Sequence, residues 1–358
     1  MKVVTKVPGK LFLAGEYAVV ESGNPAVIAA VDRYLTVSIE SAESGMIHST
    51  QQSDMFLTWY RTNEQILVSE ENPYQIVLTA LQVSEEFLRE QGIPCQGYYS
   101  VTIQSELDDQ DSGTKYGLGS SGAVEAILLY YGYELDPLLV FKLSVLTQAR
   151  LNMTGSHGDL AASSFRGLVA YYSLDKSWLS EQMSVQGLSN LLASDWKDLQ
   201  IKQIGLPAPL ELLVGWTGSA ASTTHLVSHM ESKKTQQSKE EIYSQFLNDS
   251  KVCVEQLIWA CQNRDIPCIK QAVTRNRYLL RKFSEDMSLT IETPLLTELC
   301  DSAEANGAVA KSSGAGGGDC GICLVDSQEQ KEAIQIIWEQ AGIFPLPLTI
   351  AERNKERI

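Results

Sequence analysis

Two glycine-dense segments constrain this chain more than any other feature. The first, 117–122, reads Gly-Leu-Gly-Ser-Ser-Gly and precedes an apolar stretch, 123–131, that can form a helix. The second, 311–321, leads into a strand-like run at 322–325. Glycine lets the backbone approach a ligand closely, and a helix N-terminus offers unpaired N–H groups to an anion. A serine-glycine helix cap explains the first segment alone equally well, but two such segments favour a phosphate-handling enzyme.

The composition limits the class of protein and its partners. A chain of 358 residues suggests two domains at about 150 residues each. The formal net charge of −16 opposes binding to nucleic acid and to anionic membranes. No apolar run reaches the roughly 18 residues that a membrane-spanning helix needs. The seven cysteines are irregularly spaced, which indicates no disulfide framework, so we expect a cytoplasmic protein with reduced thiols.

Strand and helix patterns are mixed along the chain without a simple alternation of the two, which indicates an α+β fold. We expect one domain over 1–200 and a second over 201–358, with a less regular junction near 178–198. Strands are expected at 3–13 with a break at Pro8-Gly9, and at 34–39, 98–103, 168–173 and 210–216, with short strands within 46–68. Helices are expected at 72–91, 137–151, 154–164, 231–249, 294–306 and 328–341, and at 252–280 in two pieces separated near Pro267. The pattern Gly-x-x-x-x-Gly-Lys-Ser/Thr and the dinucleotide-binding pattern Gly-x-Gly-x-x-Gly after a strand are both missing, so a P-loop enzyme and a Rossmann dehydrogenase fit poorly.

Four segments together resemble the GHMP kinase superfamily, in the same order along the chain. They are Pro8-Gly-Lys-Leu-Phe-Leu-Ala-Gly-Glu-Tyr-Ala18, the 117–123 segment, Gly155-Ser-His-Gly-Asp-Leu-Ala161 and the 311–321 segment. Within the superfamily, the Gly15-Glu16-Tyr17 triplet and the paired serines before Gly314 are most similar to those of bacterial phosphomevalonate kinases.

The resemblance implies a two-domain GHMP kinase fold with the active site in the cleft between the domains. It implies ATP and Mg²⁺ as cofactors, small-molecule substrates, and a monomer or weak homodimer. The ATP-binding residues that it implies are Lys115, Gly117, Leu118, Gly119, Ser120, Ser121 and Gly122. The substrate-binding residues that it implies are Tyr17, Arg150, His157, Ser312, Ser313, Gly314 and Ala315. Several relatives carry a Glu at the position of Gln148, so Ser121 is the expected Mg²⁺ ligand, and the helix after Ser121 looks about one turn short.

Lys10 and Asp159 are the expected catalytic residues by the same resemblance. Phosphoryl transfer depends on positioning and on neutralising charge, and Lys10 is expected to place an ammonium near the transferring group. Taken alone, Lys10 could be a solvated side chain and Asp159 a helix cap. A phosphate acceptor is already largely ionised near neutral pH, so Asp159 would chiefly orient it. Its extra charge would be offset by Lys10 and by Lys115, Arg150 or His157.

The expected reaction is the ATP-dependent phosphorylation of phosphomevalonate to diphosphomevalonate. Mevalonate kinase and diphosphomevalonate decarboxylase of the same superfamily are the alternatives, together with a non-catalytic sensor that binds a metabolite. Release of CO₂ would identify the decarboxylase, and the intact Lys10 and Asp159 oppose the sensor.

Overall fold

The computed structural model describes residues 1–50, 52–63, 65–68, 72–106, 119–218 and 237–352. The chain divides into two compact units, and it passes between them five times. Unit 1 contains Met1–Gly9, Arg33–Phe165 and Asp175–Lys197, and unit 2 contains Lys10–Asp32, Arg166–Leu174 and Asp198–Ile358. The last passage lies close to the expected boundary at 200. Two earlier segments belong to unit 2, however, and a single boundary does not describe them.

Unit 1 combines a sheet with helices that pack on one another. Its strands are the first part of β1 (Lys2–Ala14), the second part of β2 (Pro25–Ala42), β3 (Gly45–Ser49), β4 (Gln52–Thr62), β5 (Gln65–Leu67) and β6 (Tyr98–Ser105). β2 and β4 run antiparallel to their neighbours β6 and β3, whereas β3 runs parallel to β6. The helices are α1 (Gln75–Glu90), α2 (Gly119–Tyr130), α3 (Pro137–Arg150), α4 (Gly158–Phe165), α5 (Lys176–Val185) and α6 (Leu188–Ala193). α1, α2 and α3 pack against one another, and α4 packs on α3.

Unit 2 contains the rest of β1 and β2, a short 3-10 helix at Ala18–Val20, and two groups of strands. β7 (Leu168–Tyr172) pairs with β2 and with β8 (Gln200–Ile204). A separate antiparallel sheet has the order β10 (Val309–Ser312), β11 (Cys320–Val325), β9 (Glu211–Trp216) and β12 (Phe344–Leu346). The helices are α7 (Gln237–Asn263), α8 (Ile266–Met287), α9 (Pro294–Ala305) and α10 (Gln328–Gln340). Val31 forms an isolated bridge with Ile350.

Local sequence explains where several helices begin. The Asp136 side chain accepts hydrogen bonds from the first N–H groups of α3, and Pro137 occupies the first turn. Asp265 caps α8 in the same way. The expected interruption near Pro267 is therefore the start of α8, because proline is tolerated in a first turn and not in a helix interior.

One expectation about strands was wrong, and one strand was missed. β1 continues through Pro8 and Gly9 without a break, because pairing with β2 outweighs the weak local preference of these residues. β8 was not expected, since Gln200–Ile204 is mostly polar and lacks a clear alternation. No helix in the described part of the chain is both long and apolar enough to cross a membrane.

Candidate functional site

The early glycine-serine segment leads into α2, which begins at Gly119. Its first ten residues, from Gly119 to Leu128, are all buried. Small residues allow this close packing, and helix N-termini in general bind anions through their first N–H groups. The described part of α2 covers 12 residues and ends at Tyr130. The expected ATP-binding residues Lys115, Gly117 and Leu118 lie outside the described residues.

The two glycines of α2 have different surroundings. A Cβ on Gly119 would lie 3.4 Å and 3.5 Å from Val77 and Ile76, which are ordinary contacts. A Cβ on Gly122 would lie 2.8 Å from a methyl group of Val37 and 3.3 Å from one of Val7. Gly122 is thus required where α2 packs on β1 and β2, and its identity needs no contact with ATP to explain it.

The two serines of α2 also differ, although both are fully buried. The hydroxyl oxygens of Ser121 and Ser163, on α4, are 3.0 Å apart. The Ser120 hydroxyl has no hydrogen-bond partner among the residues that the structure describes. Burying a hydroxyl without a partner costs free energy, so of these two serines Ser120 is the one whose hydroxyl the described residues leave unsatisfied.

α4 carries the expected catalytic carboxylate. Asp159 lies in the first turn of α4, partly exposed, where a carboxylate interacts favourably with the helix dipole. His157 precedes the helix with a φ of 59° and a buried ring. Burial lowers the pKa of His157 to about 3, and the positive charge of Lys176 is the second cause of this shift. His157 is therefore neutral near pH 7, because its ring is desolvated, and its part in substrate binding stays a prediction.

Arg150 ends α3 and lies at the surface of unit 1. Its guanidinium donates a hydrogen bond of 2.8 Å to the Glu86 carboxylate on α1. The ion pair with Glu86 accounts for the position of the Arg150 side chain without a contact to substrate.

In unit 2, Lys10 lies on β1 and is partly exposed. Its ammonium is 5.5 Å from the centre of the Phe12 ring, two residues along the strand. The Phe12 backbone N–H donates a 2.8 Å hydrogen bond to the Ser313 hydroxyl. Phe12 thus connects the strand that carries Lys10 with the late glycine-rich loop, which we define as residues 312–318.

The late glycine-rich loop connects β10 to β11. Ser312 and Ser313 are buried, whereas Gly314 and Ala315 are partly exposed. The Ser313 backbone N–H donates to the Cys320 carbonyl at 3.0 Å. The buried Tyr17 hydroxyl donates to the Ala315 carbonyl. The structure therefore brings five of the expected substrate-binding residues together within unit 2, namely Tyr17, Ser312, Ser313, Gly314 and Ala315.

A buried ion pair next to this loop was missed by sequence reasoning. The Lys311 ammonium contacts the Glu16 carboxylate and the Ser312 carbonyl, and both side chains are almost fully buried. The Gly314 backbone N–H also donates to Glu16, at 3.4 Å. A lysine inside the apolar strand Val309–Ser312 was the available clue, since buried charges are normally paired.

Comparison with known proteins agrees with this architecture. Residues 257–343 match the family model described as GHMP kinases C terminal. A phosphomevalonate kinase of Streptomyces sp. (strain CL190) is 35% identical over 98% of this chain and 97% of its own. The chain belongs to the GHMP kinase superfamily.

The similar solved structures include a phosphomevalonate kinase of the same superfamily. A Streptococcus pneumoniae phosphomevalonate kinase in complex with phosphomevalonate and AMPPNP superposes with a TM-score of 0.84 at 28% identity, covering 97% of this chain and 99% of that one. A Lin0012 protein from Listeria innocua superposes with a TM-score of 0.88 at 34% identity, covering 99% of this chain and 100% of that one.

Proposed function

We propose that this protein is a kinase that transfers the γ-phosphoryl group of ATP to phosphomevalonate and forms diphosphomevalonate. The observation that carries this proposal is the 35% identity with a phosphomevalonate kinase over nearly the full length of both chains. AMPPNP, an analogue of ATP, accompanies phosphomevalonate in the similar Streptococcus pneumoniae structure, which supports the same pair of substrates here.

ATP is proposed to bind with its phosphates at residues 117–121 and at the N-terminus of α2. The ordinary surroundings of Gly119 and the unpartnered Ser120 hydroxyl, within the described part of the chain, support this role. Backbone N–H groups at a helix start stabilise phosphate charge without a side-chain cation. Gly122 is left out of the proposed ATP contacts because packing on the sheet already requires it.

Lys10 is proposed to neutralise charge on the phosphoryl group being transferred, and Asp159 to orient the acceptor. Both side chains are partly exposed, which leaves them accessible to a substrate. Phosphate ionises with a second pKa of about 6, so the acceptor oxygen needs little help from a base. Since His157 is neutral and Arg150 is paired with Glu86, Lys115 is the proposed further partner for the acceptor phosphate.

Mg²⁺ is proposed as the cation that accompanies ATP, where it would neutralise phosphate charge. It prefers oxygen ligands and in kinases is held largely by the phosphates with few protein groups. Ser121 is the proposed protein ligand, because its hydroxyl shares one hydrogen bond with Ser163 and keeps a lone pair for a cation. Ser120 is a second candidate, because its hydroxyl has no hydrogen-bond partner among the described residues.

The test is an acceptor panel with ATP and Mg²⁺, measured by ADP formation and by the mass of the product. We expect phosphomevalonate to give a product heavier by one phosphoryl group, with kcat/KM well above that of mevalonate. Preference for mevalonate would instead favour the second candidate, mevalonate kinase, for which a Thermococcus sibiricus mevalonate kinase, 26% identical over 99% of this chain and 98% of its own, is the supporting observation. Release of CO₂ from diphosphomevalonate would indicate a decarboxylase, and binding without turnover would indicate a sensor.

A further inference from the structure

The turn that follows β1 is hydrogen-bonded to the late glycine-rich loop at successive residues. Glu16 accepts from the Lys311 ammonium and from the Gly314 backbone N–H. The next residue, Tyr17, donates its hydroxyl proton to the Ala315 carbonyl. Two neighbouring residues of the turn therefore hold the start and the middle of the loop, and all of these contacts lie within unit 2.

Tyr17 is itself held rigidly. Its backbone has a φ of 61°, a conformation that few residues other than glycine adopt. Its ring is buried and lies 5.6 Å from the ring of Phe283 on α8. Burial raises the pKa of the Tyr17 hydroxyl, and the negative charge of Glu16 is the second cause of this shift. The hydroxyl therefore keeps its single proton. That proton bonds to Ala315 and cannot be donated to a substrate at the same time.

The far side of the loop is fixed independently. The Gly317 backbone N–H donates to the Ile291 carbonyl at 2.8 Å. Gly316 has a φ of 71°, and a Cβ there would lie 2.2 Å from the Ile291 oxygen. Around Gly314, by contrast, a Cβ would meet no described atom within 4 Å. The loop is thus anchored on both sides of an open position, and Tyr17 supplies the anchor in the middle.

We propose that Tyr17 is a positioning residue whose hydroxyl fixes the late glycine-rich loop at Ala315, so that it acts on the acceptor through the loop rather than by contacting it. This inference rests on the proposed function for its kinetic consequence. Its structural part concerns the free protein and is independent of which acceptor the enzyme uses.

The test compares Tyr17→Phe with a matched variant, Tyr243→Phe. Tyr243 is buried in the same apolar cluster and also faces Phe283, but its hydroxyl donates to Glu21 instead of to the loop. Hydrogen exchange is measured on the ligand-free proteins in peptides that cover 311–318. Losing one net hydrogen bond should accelerate exchange there by about 2- to 12-fold in Tyr17→Phe, whereas Tyr243→Phe should exchange at the wild-type rate in these peptides.

Kinetics on the same three proteins supply the second readout. In Tyr17→Phe we expect kcat/KM for phosphomevalonate to fall by a similar factor while KM for ATP is unchanged, and Tyr243→Phe to stay within about twofold of wild type. An unchanged exchange rate in 311–318 overturns the proposal. If KM for the acceptor also rises in Tyr17→Phe, the result indicates that Tyr17 contacts the substrate directly. Faster exchange with unchanged turnover overturns it as well. If the wild type uses none of the acceptors, the proposed function fails, yet the exchange data still decide whether Tyr17 fixes the loop.

Glu16→Gln combined with Lys311→Met provides a second variant should Tyr17→Phe prove poorly folded. It keeps an acceptor for the Gly314 N–H and removes both buried charges together, so that no buried ammonium is left without its counter-charge. We expect it to accelerate exchange in the same peptides, and exchange at the wild-type rate would count against the turn as the element that fixes the loop.

Discussion

Lys10 and Asp159 are the residues on which we expect turnover to depend most. Lys10→Ala removes an ammonium from β1, and Asp159→Asn removes a charge from the first turn of α4 while keeping the size of the side chain. Each should lower kcat by about 10²- to 10⁴-fold with little change in ATP affinity. Steady-state kinetics with ATP titrations measure this, and circular dichroism confirms folding. Near-normal turnover in either folded variant would remove that residue from the mechanism.

His157 should make the stability of the protein depend on pH. Its pKa is about 3 when folded and about 6.5 when unfolded. Below about pH 6.5 the unfolded chain binds a proton that the folded chain does not, so the free energy of unfolding falls as pH falls towards 3. The loss approaches about 1.4 kcal/mol per pH unit within this window.

His157→Asn isolates this contribution, because Asn tolerates the positive φ at this position and does not titrate. Denaturant unfolding at pH 7.5, 6.5, 5.5 and 5.0 should show a shallower pH dependence in the variant than in the wild type. Equal slopes would mean that the imidazole is solvated in the folded protein.

At the scale of elements, α2 has two glycines that should respond differently to the same small change. Gly122→Ala places a methyl group 2.8 Å from Val37 and should cost about 1–3 kcal/mol of stability. Gly119→Ala meets only ordinary contacts, so its stability should be close to wild type while its ATP affinity falls. Thermal melts and calorimetry with an ATP analogue measure the two effects. Unchanged ATP affinity in Gly119→Ala would contradict the proposed phosphate contact.

Regular elements with clear local patterns could be predicted from the sequence, and contacts between distant segments could not. α3 was expected at 137–151 and extends over Pro137–Arg150, because its capping Asp136 and its proline are adjacent in sequence. The continuity of β1 through Pro8 depends on its pairing with β2. The need for glycine at Gly122 depends on Val7 and Val37, which are far away along the chain.

The same distinction applies to the candidate site. The motifs identified the late glycine-rich loop and the 117–122 segment that leads into α2, since each is contiguous in sequence. The neutral state of His157 follows from burial of its ring, and the pairing of Glu16 with Lys311 joins residues 295 positions apart. Neither the burial nor the pairing leaves a local pattern that a single sequence displays.

At the scale of the whole molecule, the chain passes between the two units five times. We therefore expect a truncation at residue 200 to destabilise unit 2. One apolar core of unit 2 combines residues after 200 with Leu11, Leu13, Val27, Ala29 and Leu168. A fragment of residues 201–358 lacks all of these, so it should not unfold cooperatively and should bind hydrophobic dyes. Thermal circular dichroism and dye binding measure this outcome. A sharp melting transition in the isolated fragment would show that its remaining core is sufficient.

The bridge between Val31 and Ile350 also has a consequence for biosynthesis. At about 5–20 residues per second, the ribosome needs on the order of 15–65 s to make the residues that separate these two partners. During that interval the part of β2 that belongs to unit 2 has not yet paired with Ile350, and its apolar side chains are incompletely buried. Nascent chains of this protein should therefore need a holding chaperone longer than a chain whose first strands find their partners early.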